Sequence, residues 1–240
     1  MGFRNQVLIL VGGLGTRLRS EVSDVPKPMA PILNKPFLEY KLSQLKAVGA
    51  KNIIFCAGYL HEIISDYFGD GSNWDLNIEY SIEHERLGTA GAIKNAENLI
   101  QDDFFAMNGD TYLKLDLAEM KRFHYDNNAD FTMAVTDPRL EGQEGLVEIT
   151  EEGIITGFKE KAAPTKENPV INGGVYFFKK PLLKEIPPGE KVSLEYDIFP
   201  KIIENHWKIV GFPYHGYFVD IGVPENYKTF IEDVKTQKIN

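Results

Sequence analysis

Residues 7–20 read VLILVGGLGTRLRS, an apolar run followed by a glycine-rich segment that carries two arginines. The run Val7–Val11 has the length and composition of a buried β-strand. The glycines between residues 12 and 15 let backbone N–H groups approach a phosphate closely, and Arg17 can bind a phosphate with two hydrogen bonds. The stretch therefore predicts a central strand of an α/β sheet that ends in a phosphate-binding turn.

Two common phosphate-binding motifs do not fit this turn. The dinucleotide fingerprint G-x-G-x-x-G would begin at Gly13, but Leu18 stands in place of its third glycine. Pro26 and Pro28 also disfavour the long helix that follows the turn in dinucleotide-binding proteins. The Walker pattern requires Gly-Lys-Ser/Thr, and the chain has Gly-Thr-Arg instead. A dinucleotide-dependent oxidoreductase is thus disfavoured, and a glycine-rich turn with a purely structural role stays open.

Strand and helix patterns alternate through the first half of the chain. Strands are predicted at Gln6–Val11, Asn52–Ala57, Ile78–Ile82 and Phe104–Met107, and helices at Pro36–Val48, Leu60–Phe68 and Ala90–Ile100. This alternation predicts an α/β fold with a Rossmann-like, mixed but mainly parallel sheet that helices flank on both faces. Ligands of such sheets bind at the carboxyl ends of the strands, where the glycine turn lies.

The second half of the chain is richer in strands. Its predicted elements are a helix at Leu117–Asn127, strands at Phe131–Thr136, Leu146–Ile149, Ile154–Phe158 and Val170–Phe178, and a last helix at Pro224–Lys235. We interpret residues 1–240 as one domain, with a nucleotide-binding half at about 1–115. The half at about 116–240 adds a β-rich lobe for the second substrate.

Composition and charge narrow the function classes. The 240 residues carry a net charge of −9, which argues against non-specific binding to nucleic acid or anionic lipid. No apolar run approaches the roughly 18 residues that cross a bilayer, and no secretory signal pattern is found. The single cysteine, Cys56, lies in an apolar strand pattern and is expected to be a buried packing residue. We therefore expect a cytoplasmic protein that holds its phosphate ligands with local cations or a metal ion.

Several stretches, taken together, resemble the signature of the sugar-nucleotide pyrophosphorylases, which are nucleotidyltransferases that act on sugar 1-phosphates. They follow one another over nearly the whole chain as GGLGTRL (12–18), VPKPMAPI (25–32), HERLGTAGAI (84–93), NGD (108–110), FKEK (158–161), INGGVY (171–176) and FVDIGVPENY (218–227). Within the family, GGLGTRL, DVPKPMAPI, LGTAGAI and SLEYD are most similar to the bacterial D-glycero-D-manno-heptose 1-phosphate guanylyltransferases, followed by the mannose-1-phosphate guanylyltransferases. The resemblance implies the glycosyltransferase-A-like nucleotidyltransferase fold.

The reaction that this resemblance implies is attack by a sugar 1-phosphate oxygen on the α-phosphorus of a nucleoside triphosphate, with release of pyrophosphate. The protein then acts by positioning and by charge neutralisation, and no covalent intermediate is required. The resemblance assigns Arg17 to the triphosphate, Lys27 to the α-phosphate and the incoming phosphate, and Lys161 to the sugar phosphate. With Asp110, these are the expected catalytic residues. The residues expected to bind the nucleotide are Leu10, Gly12, Gly13, Gly15, Thr16, Glu83, Gly88 and Thr89.

The resemblance also implies a metal site that Asp110 and Asp220 share. Magnesium prefers few carboxylates together with phosphate oxygens and waters, so Mg²⁺ is the expected cofactor. The two aspartates are distant in sequence, but both follow β-like segments that can end at the same sheet edge. Taken alone, Asp110 also fits a turn residue and Asp220 a neighbour of a helix cap.

The sugar phosphate is expected to lie against residues of the second half. By the resemblance, Glu160 binds sugar hydroxyls, and the full expected set is Asn108, Gly145, Glu160, Lys161, Asn172 and Gly173. The chain departs from its relatives at two positions. Glu144 precedes Gly145 where many relatives have tyrosine, and Arg86 stands where relatives often have proline. Arg86 is expected at the rim of the nucleotide site.

Glu83 is the expected reader of the base. It ends the predicted strand IEYSIE and lies five residues before Gly88. Guanine presents two adjacent donors, N1–H and the N2 amine, and a carboxylate can accept both, whereas uracil and thymine would turn oxygens toward it. We therefore predict GTP as the donor. Glu85, on the same face if the strand continues, is the alternative acceptor, and the backbone of residues 12–15 is another.

The expected partners are GTP and a sugar 1-phosphate, with the heptose 1-phosphate as the first candidate in the synthesis of a surface polysaccharide. Transfer to mannose 1-phosphate, or of a uridylyl or thymidylyl group, is the alternative within the family. A regulatory module that binds sugar nucleotides without turnover is the non-enzymatic alternative. The presence of Asp110, Asp220, Arg17, Lys27 and Lys161 together favours an enzyme. A homodimer is compatible with the sequence, and no nucleic-acid or membrane partner is expected.

Overall fold

A mixed β-sheet forms the centre of the fold. The computed structural model describes residues 5–13, 15, 18, 21–22, 24–138, 145–159 and 169–239, and only the backbone of residue 159. The strands are β1 (Val7–Leu10), β2 (Pro31–Ile32), β3 (Lys35–Pro36), β4 (Asn52–Ala57), β5 (Asn77–Ile82), β6 (Phe104–Asn108), β7 (Thr111–Leu113), β8 (Phe131–Thr136), β9 (Leu146–Ile149), β10 (Ile155–Lys159), β11 (Val170–Phe178), β12 (Ile209–Tyr214) and β13 (Phe218–Asp220). The helices are α1 (Phe37–Ala47), α2 (His61–Phe68), α3 (Gly88–Asn95), α4 (Leu117–Asp126), α5 (Phe199–Glu204) and α6 (Pro224–Lys235).

The first half of the chain builds a parallel sheet with the strand order β6, β1, β4, β5. Successive side chains of a strand point to opposite faces, so Val7 and Ile9 pack with α1, α2 and α4, whereas Leu8 packs with α3 and α5. Helices thus cover both faces, and the predicted fold class is confirmed. The helix predicted at Ala90–Ile100 begins at Gly88 and ends at Asn95, because the chain tightens there into turns in which Ala96 N bonds to both Ala92 O and Ile93 O.

The strands of the second half extend the same sheet. Strand β11 pairs antiparallel with β6, β8 and β9, β10 pairs with β9, and β12 adds to β8 in parallel. Among the described residues, nine strands belong to this sheet. The β-rich segments predicted after Phe131 are therefore present and continue the sheet beyond β6. No helix in the described part of the chain is long and apolar enough to cross a membrane.

A separate two-stranded ribbon joins the middle of the chain to its later part. Strands β7 and β13 pair antiparallel, with Thr111 opposite Asp220. Helix α1 holds the ribbon from one side, because Lys41 Nζ donates to Thr111 O at 2.7 Å and Gln44 Nε2 donates to Leu113 O. Helix α6 packs on the ribbon through Phe230, which contacts Tyr112. The ribbon therefore sits at a fixed place beside the end of β6.

Lys41 is a charged residue in the buried face of α1. Its side chain is 2% exposed and lies at helical spacing between the buried residues Phe37 and Leu45. Burial lowers the pKa of Lys41 from 10.5 to about 8, and the nearby Asp110 carboxylate partly opposes this shift. An apolar side chain would fill this position without the cost of a buried charge.

Candidate active site

A cleft of about 440 Å³ opens where β1 and β6 end. These strands are neighbours, and their last residues, Leu10 and Asn108, lie side by side. Nine of the residues predicted from the sequence line the cleft, namely Leu10, Gly12, Gly13, Gly15, Glu83, Gly88, Thr89, Asn108 and Asp110. The structure thus brings the predicted nucleotide residues that it describes to one place, at the carboxyl ends of parallel strands. Their binding of a nucleotide stays a prediction.

The glycine turn lies between a carboxylate and a cation. A Cβ at Gly12 would come within 2.8 Å of Glu83 Oε1, so glycine is needed there for the carboxylate to lie against the turn. Gly15 has φ +59°, in the left-handed region, and a Cβ there would lie 2.9 Å from Lys27 Cβ. The turn therefore packs directly against both Glu83 and Lys27.

Glu83 is half-buried at the side of the cleft. Strand β5 ends at Ile82, the end predicted for Ile78–Ile82, so Glu83 lies one residue beyond the strand, and Glu83 N donates to Ala57 O at 2.8 Å. Its Oε2 accepts a hydrogen bond from Leu87 N at 3.2 Å. Burial raises the pKa of Glu83 above its ordinary value, and the bond from Leu87 N–H partly opposes this. The strand does not continue, so the condition under which Glu85 would share this face is not met, and Glu85 is exposed.

The start of α3 is bonded to another part of the chain. Ala90 N and Gly91 N donate to Val192 O at 3.0 and 3.2 Å. The Thr89 hydroxyl donates to Glu195 Oε2 at 3.1 Å and accepts a bond from Leu194 N at 2.7 Å. These bonds fix the position of the helix start in the cleft wall.

Lys27, Asp110 and Asp220 form the charged part of the site. Lys27 Nζ lies 2.7 Å from Asp110 Oδ2, and because these side chains are only 11% and 28% exposed, solvent screens the pair weakly. Asp220 is brought to them by the ribbon, in which Ile221 N donates to Asp110 O at 3.0 Å. A Cβ at Gly222 would lie 2.8 Å from both Asp220 Oδ1 and Lys27 Nζ. The two aspartates predicted to share a metal therefore lie close together at one edge.

The two carboxylates at this edge suit a divalent cation that also binds water and phosphate oxygens. Within the described residues there is no group of three or more His, Cys, Asp or Glu side chains that would enclose a metal. Two carboxylates from Asp110 and Asp220 leave most of a coordination shell to water and phosphate oxygens, which is the pattern that magnesium favours. The residues present therefore fit a metal that binds together with a phosphate ligand.

Three of the residues predicted for the sugar phosphate, Gly145, Asn172 and Gly173, lie at or beside an irregularity of β11. The strand register shifts between Asn172 and Tyr176, and Gly173 approaches β8 so closely that a Cβ would lie 2.9 Å from Ala134 O. Asn172 N donates to Gly145 O at 3.0 Å, so the predicted Gly145 and Asn172 are in contact. The Asn172 amide donates to the Tyr176 hydroxyl at 2.7 Å and accepts a bond from the N–H of residue 174 at 2.8 Å. Protein contacts thus orient this amide.

Some predicted residues lie outside the described part of the chain, namely Thr16, Arg17, Glu144, Glu160 and Lys161. The roles that the resemblance implies for them stay predictions.

Arg86 is exposed and lines the cleft, so it lies near the nucleotide residues as expected. Lys191, which precedes the SLEYD stretch, also lines the cleft and was not predicted. The position of Lys191 beside SLEYD, a stretch that already matched the family, was the signal from which this second cation could have been predicted.

Cys56 lies in the wall of the cleft as a fully buried strand residue, as expected, and burial raises the pKa of its thiol. Its thiol is therefore protonated and unsuited to nucleophilic attack.

Comparison with known proteins gives matches over nearly the whole chain. Residues 6–237 match the nucleotidyl transferase family. The chain is 42% identical over 224 residues to a D-glycero-alpha-D-manno-heptose 1-phosphate guanylyltransferase of Aneurinibacillus thermoaerophilus, covering 93% of this chain and 95% of that protein. It is 39% identical over 227 residues to a mannose-1-phosphate guanylyltransferase of Mycobacterium tuberculosis, covering 92% and 62%. The crystal structure of HddC from Yersinia pseudotuberculosis complexed with GMP-PN superimposes with a TM-score of 0.84 at 33% identity, covering 96% of this chain and all of that one.

Proposed function

Because the chain belongs to the nucleotidyl transferase family, we propose that it transfers a guanylyl group from GTP to D-glycero-α-D-manno-heptose 1-phosphate. The products are the GDP-sugar and pyrophosphate. One observation carries this proposal: the cleft is lined by a half-buried carboxylate, Glu83, against the glycine turn, and by Asp110, which is paired with Lys27. The names of the relatives support the base and the sugar.

The reaction needs no protein nucleophile. An oxygen of the sugar 1-phosphate attacks the α-phosphorus and forms a new P–O bond, while the bond between the α-phosphorus and the bridging oxygen breaks and pyrophosphate leaves with the electron pair. The attacking group is already an anion, so the protein must hold two polyanions in line and neutralise their charge. Lys27, Arg17 and Lys161 supply cations for this task, with Arg17 on the triphosphate and Lys161 on the sugar phosphate.

Asp110 and Asp220 would hold a Mg²⁺ ion, which when bound supplies positive charge to phosphate oxygens. The ribbon pairing and the bond from Ile221 N keep the two aspartates together before any ligand binds. The hydrogen bond to Asp110 keeps the Lys27 ammonium group beside the two aspartates. The role of Lys27 is then to neutralise the α-phosphate and the incoming phosphate.

Glu83 would read guanine through its N1–H and N2 donors. The bond from Leu87 N occupies one side of Oε2, and Oε1 faces the glycine turn, so the carboxylate is oriented by the protein. Glu83→Gln should lower the ratio of kcat/KM for GTP to that for UTP by about 10- to 100-fold, since a charged hydrogen bond is lost. Glu85→Gln, an exposed neighbour, is the matched control and should leave the ratio unchanged. Equal ratios in the wild type and in both variants would assign base reading to the backbone of residues 12–15.

The experiment that tests the function is pyrophosphate release by the purified protein. GTP, UTP, dTTP and ATP are each combined with heptose 1-phosphate, mannose 1-phosphate and glucose 1-phosphate in the presence of Mg²⁺. The highest kcat/KM is expected for GTP with the heptose 1-phosphate. A preference for mannose 1-phosphate would correct the sugar, and a preference for UTP or dTTP would correct the base. Binding of GDP-sugar without turnover of any pair would favour a regulatory module.

A further inference from the structure

Glu195 lies where three segments of the chain meet. It belongs to a π-helical turn, Leu194–Ile198, and the adjoining Val192 O receives the N–H groups of α3 that were described above. Val192 N in turn donates to Leu87 O at 2.8 Å. The segment before α5 is thus bonded along the start of α3, which lines the nucleotide part of the cleft.

The Glu195 carboxylate accepts hydrogen bonds from hydroxyl groups of all three segments. Oε2 accepts from the Thr89 hydroxyl at 3.1 Å and from the Ser193 hydroxyl at 2.9 Å. Oε1 accepts from the Tyr176 hydroxyl of β11 at 3.4 Å. An ionised carboxylate has acceptors only, so it can receive three donors at once, whereas the glutamine amide would turn a donor toward one of the hydroxyls.

The contact to Tyr176 reaches the sugar side of the site. Tyr176 is fully buried, and burial raises the pKa of its hydroxyl well above the ordinary value, so the group stays a donor. The hydroxyl accepts from Asn172 Nδ2 at 2.7 Å, which leaves its proton for Glu195. An unbroken series of hydrogen bonds therefore runs from Thr89 through Glu195 and Tyr176 to Asn172.

We propose that Glu195 is a positioning residue that holds the nucleotide side and the sugar side of the site in one fixed relation. It acts through Thr89 on the start of α3 and through Tyr176 on the Asn172 amide. In-line attack requires both substrates to be placed together to within a fraction of an ångström, so a shared anchor sets the geometry of both at once. This inference rests on the proposed function, which names the two substrates.

A kinetic pattern tests this role. Thr89→Val removes the link on one side and should raise the KM for GTP by about 3- to 10-fold, the scale of one hydrogen bond, while the KM for heptose 1-phosphate changes little. Tyr176→Phe should do the reverse. Glu195→Gln should raise both KM values, with a smaller change in kcat. If the Glu195→Gln variant has only one raised KM value, or none, the proposal is overturned.

Asp197→Asn is the matched control for the charge change. Asp197 lies in the same helical turn, and its Oδ2 accepts a bond from Ser193 N at 2.7 Å. Asp197→Asn should leave both KM values within about twofold of the wild type, because the side-chain amide oxygen can still accept the hydrogen bond from Ser193 N. A rise of both KM values in this variant would assign the effect to the helical turn as a whole and would overturn the role of Glu195.

A second measurement needs no substrate and therefore separates this inference from the proposed function. The free energy of unfolding is measured in urea for Thr89→Val, Tyr176→Phe and the double variant, in the wild-type and in the Glu195→Gln background. The effects of Thr89→Val and Tyr176→Phe on the free energy of unfolding should be non-additive when Glu195 is present and additive in the Glu195→Gln background. Additivity in both backgrounds refutes the connection, even if GTP and the heptose 1-phosphate are substrates. Non-additivity in a protein that prefers other substrates would keep the connection and refute only the assigned function.

Discussion

Replacing the buried Lys41 by methionine should stabilise the protein at neutral pH. The pKa of Lys41 is lowered from 10.5 to about 8, and each pKa unit corresponds to about 1.4 kcal/mol. Holding the charge inside at pH 7 therefore costs about 3 kcal/mol. Methionine has a similar shape but loses the bond to Thr111 O, worth about 1 kcal/mol. The net expectation for Lys41→Met is a gain of about 2 kcal/mol in the free energy of unfolding at pH 7.

The gain should depend on pH in a defined direction. The unfolded lysine keeps its proton up to its ordinary pKa of 10.5, whereas the folded one releases it above about 8. Between these values the unfolded state binds more protons, so the wild-type protein becomes more stable relative to Lys41→Met as the pH rises. At pH 10.5 the cost of the charge is nearly gone, and the variant should be less stable by less than about 1 kcal/mol.

Urea unfolding at pH 7 and pH 10.5, followed by tryptophan fluorescence, measures both values. Tyrosines and other groups that titrate at high pH are common to the two proteins and cancel in the difference. Lys46→Met is the control, because Lys46 lies on the same helix but is exposed and paired with Asp75. Its effect should stay within about 1 kcal/mol at both pH values. A Lys41→Met protein that is less stable at pH 7, or whose difference from the wild type is the same at both pH values, refutes the reasoning.

Four other substitutions have defined outcomes. Asp110→Asn and Asp220→Asn should each lower kcat by about a hundredfold or more with folding retained; near-normal pyrophosphate release at saturating Mg²⁺ contradicts the metal assignment. Lys161→Ala should raise the KM for the sugar 1-phosphate and not that for GTP, and the opposite result would exchange the two roles. Burial lowers the pKa of His124 from 6.5 to about 4, so the free energy of unfolding should fall as the pH drops through this range. Urea unfolding should show a smaller fall for His124→Phe. An equal fall in the two proteins would mean that His124 is protonated in the folded state.

Elements with a strong periodic pattern were predictable from the sequence. Strand β4 and helix α6 have the predicted bounds, since an apolar run and a proline-led amphipathic segment are each unambiguous. Strand β7 was not predicted, and the segment before Asp220 was predicted only as β-like and without bounds, because three residues are too few to show a period. Strand β12 was missed as well. It contains Gly211 and Pro213, which argue against a strand. In the described sheet β12 pairs with β8 and on its other side is bridged to Ile154 at Val210, so Pro213 lies where proline is tolerated.

The candidate site was predictable where short motifs carry it, and the supporting residues were not. The glycine turn, Glu83 and Asp110 belong to motifs that can be read locally, and the structure places them in one cleft. Glu195 acts through partners in two other segments of the chain, so no local pattern marks it. Lys41 has a charge that predicts a solvent-facing position, and only the fold shows that it points at Thr111.

The ribbon of β7 and β13 also sets the order in which the site is completed during synthesis on the ribosome. The glycine turn and Asp110 leave the ribosome early, but Asp220 follows 110 residues later. Until Phe218–Asp220 has emerged, β7 has no partner and the acidic pair does not exist. The acidic pair is therefore completed last, after the glycine turn, Asp110 and the residues 192–195 that support the start of α3.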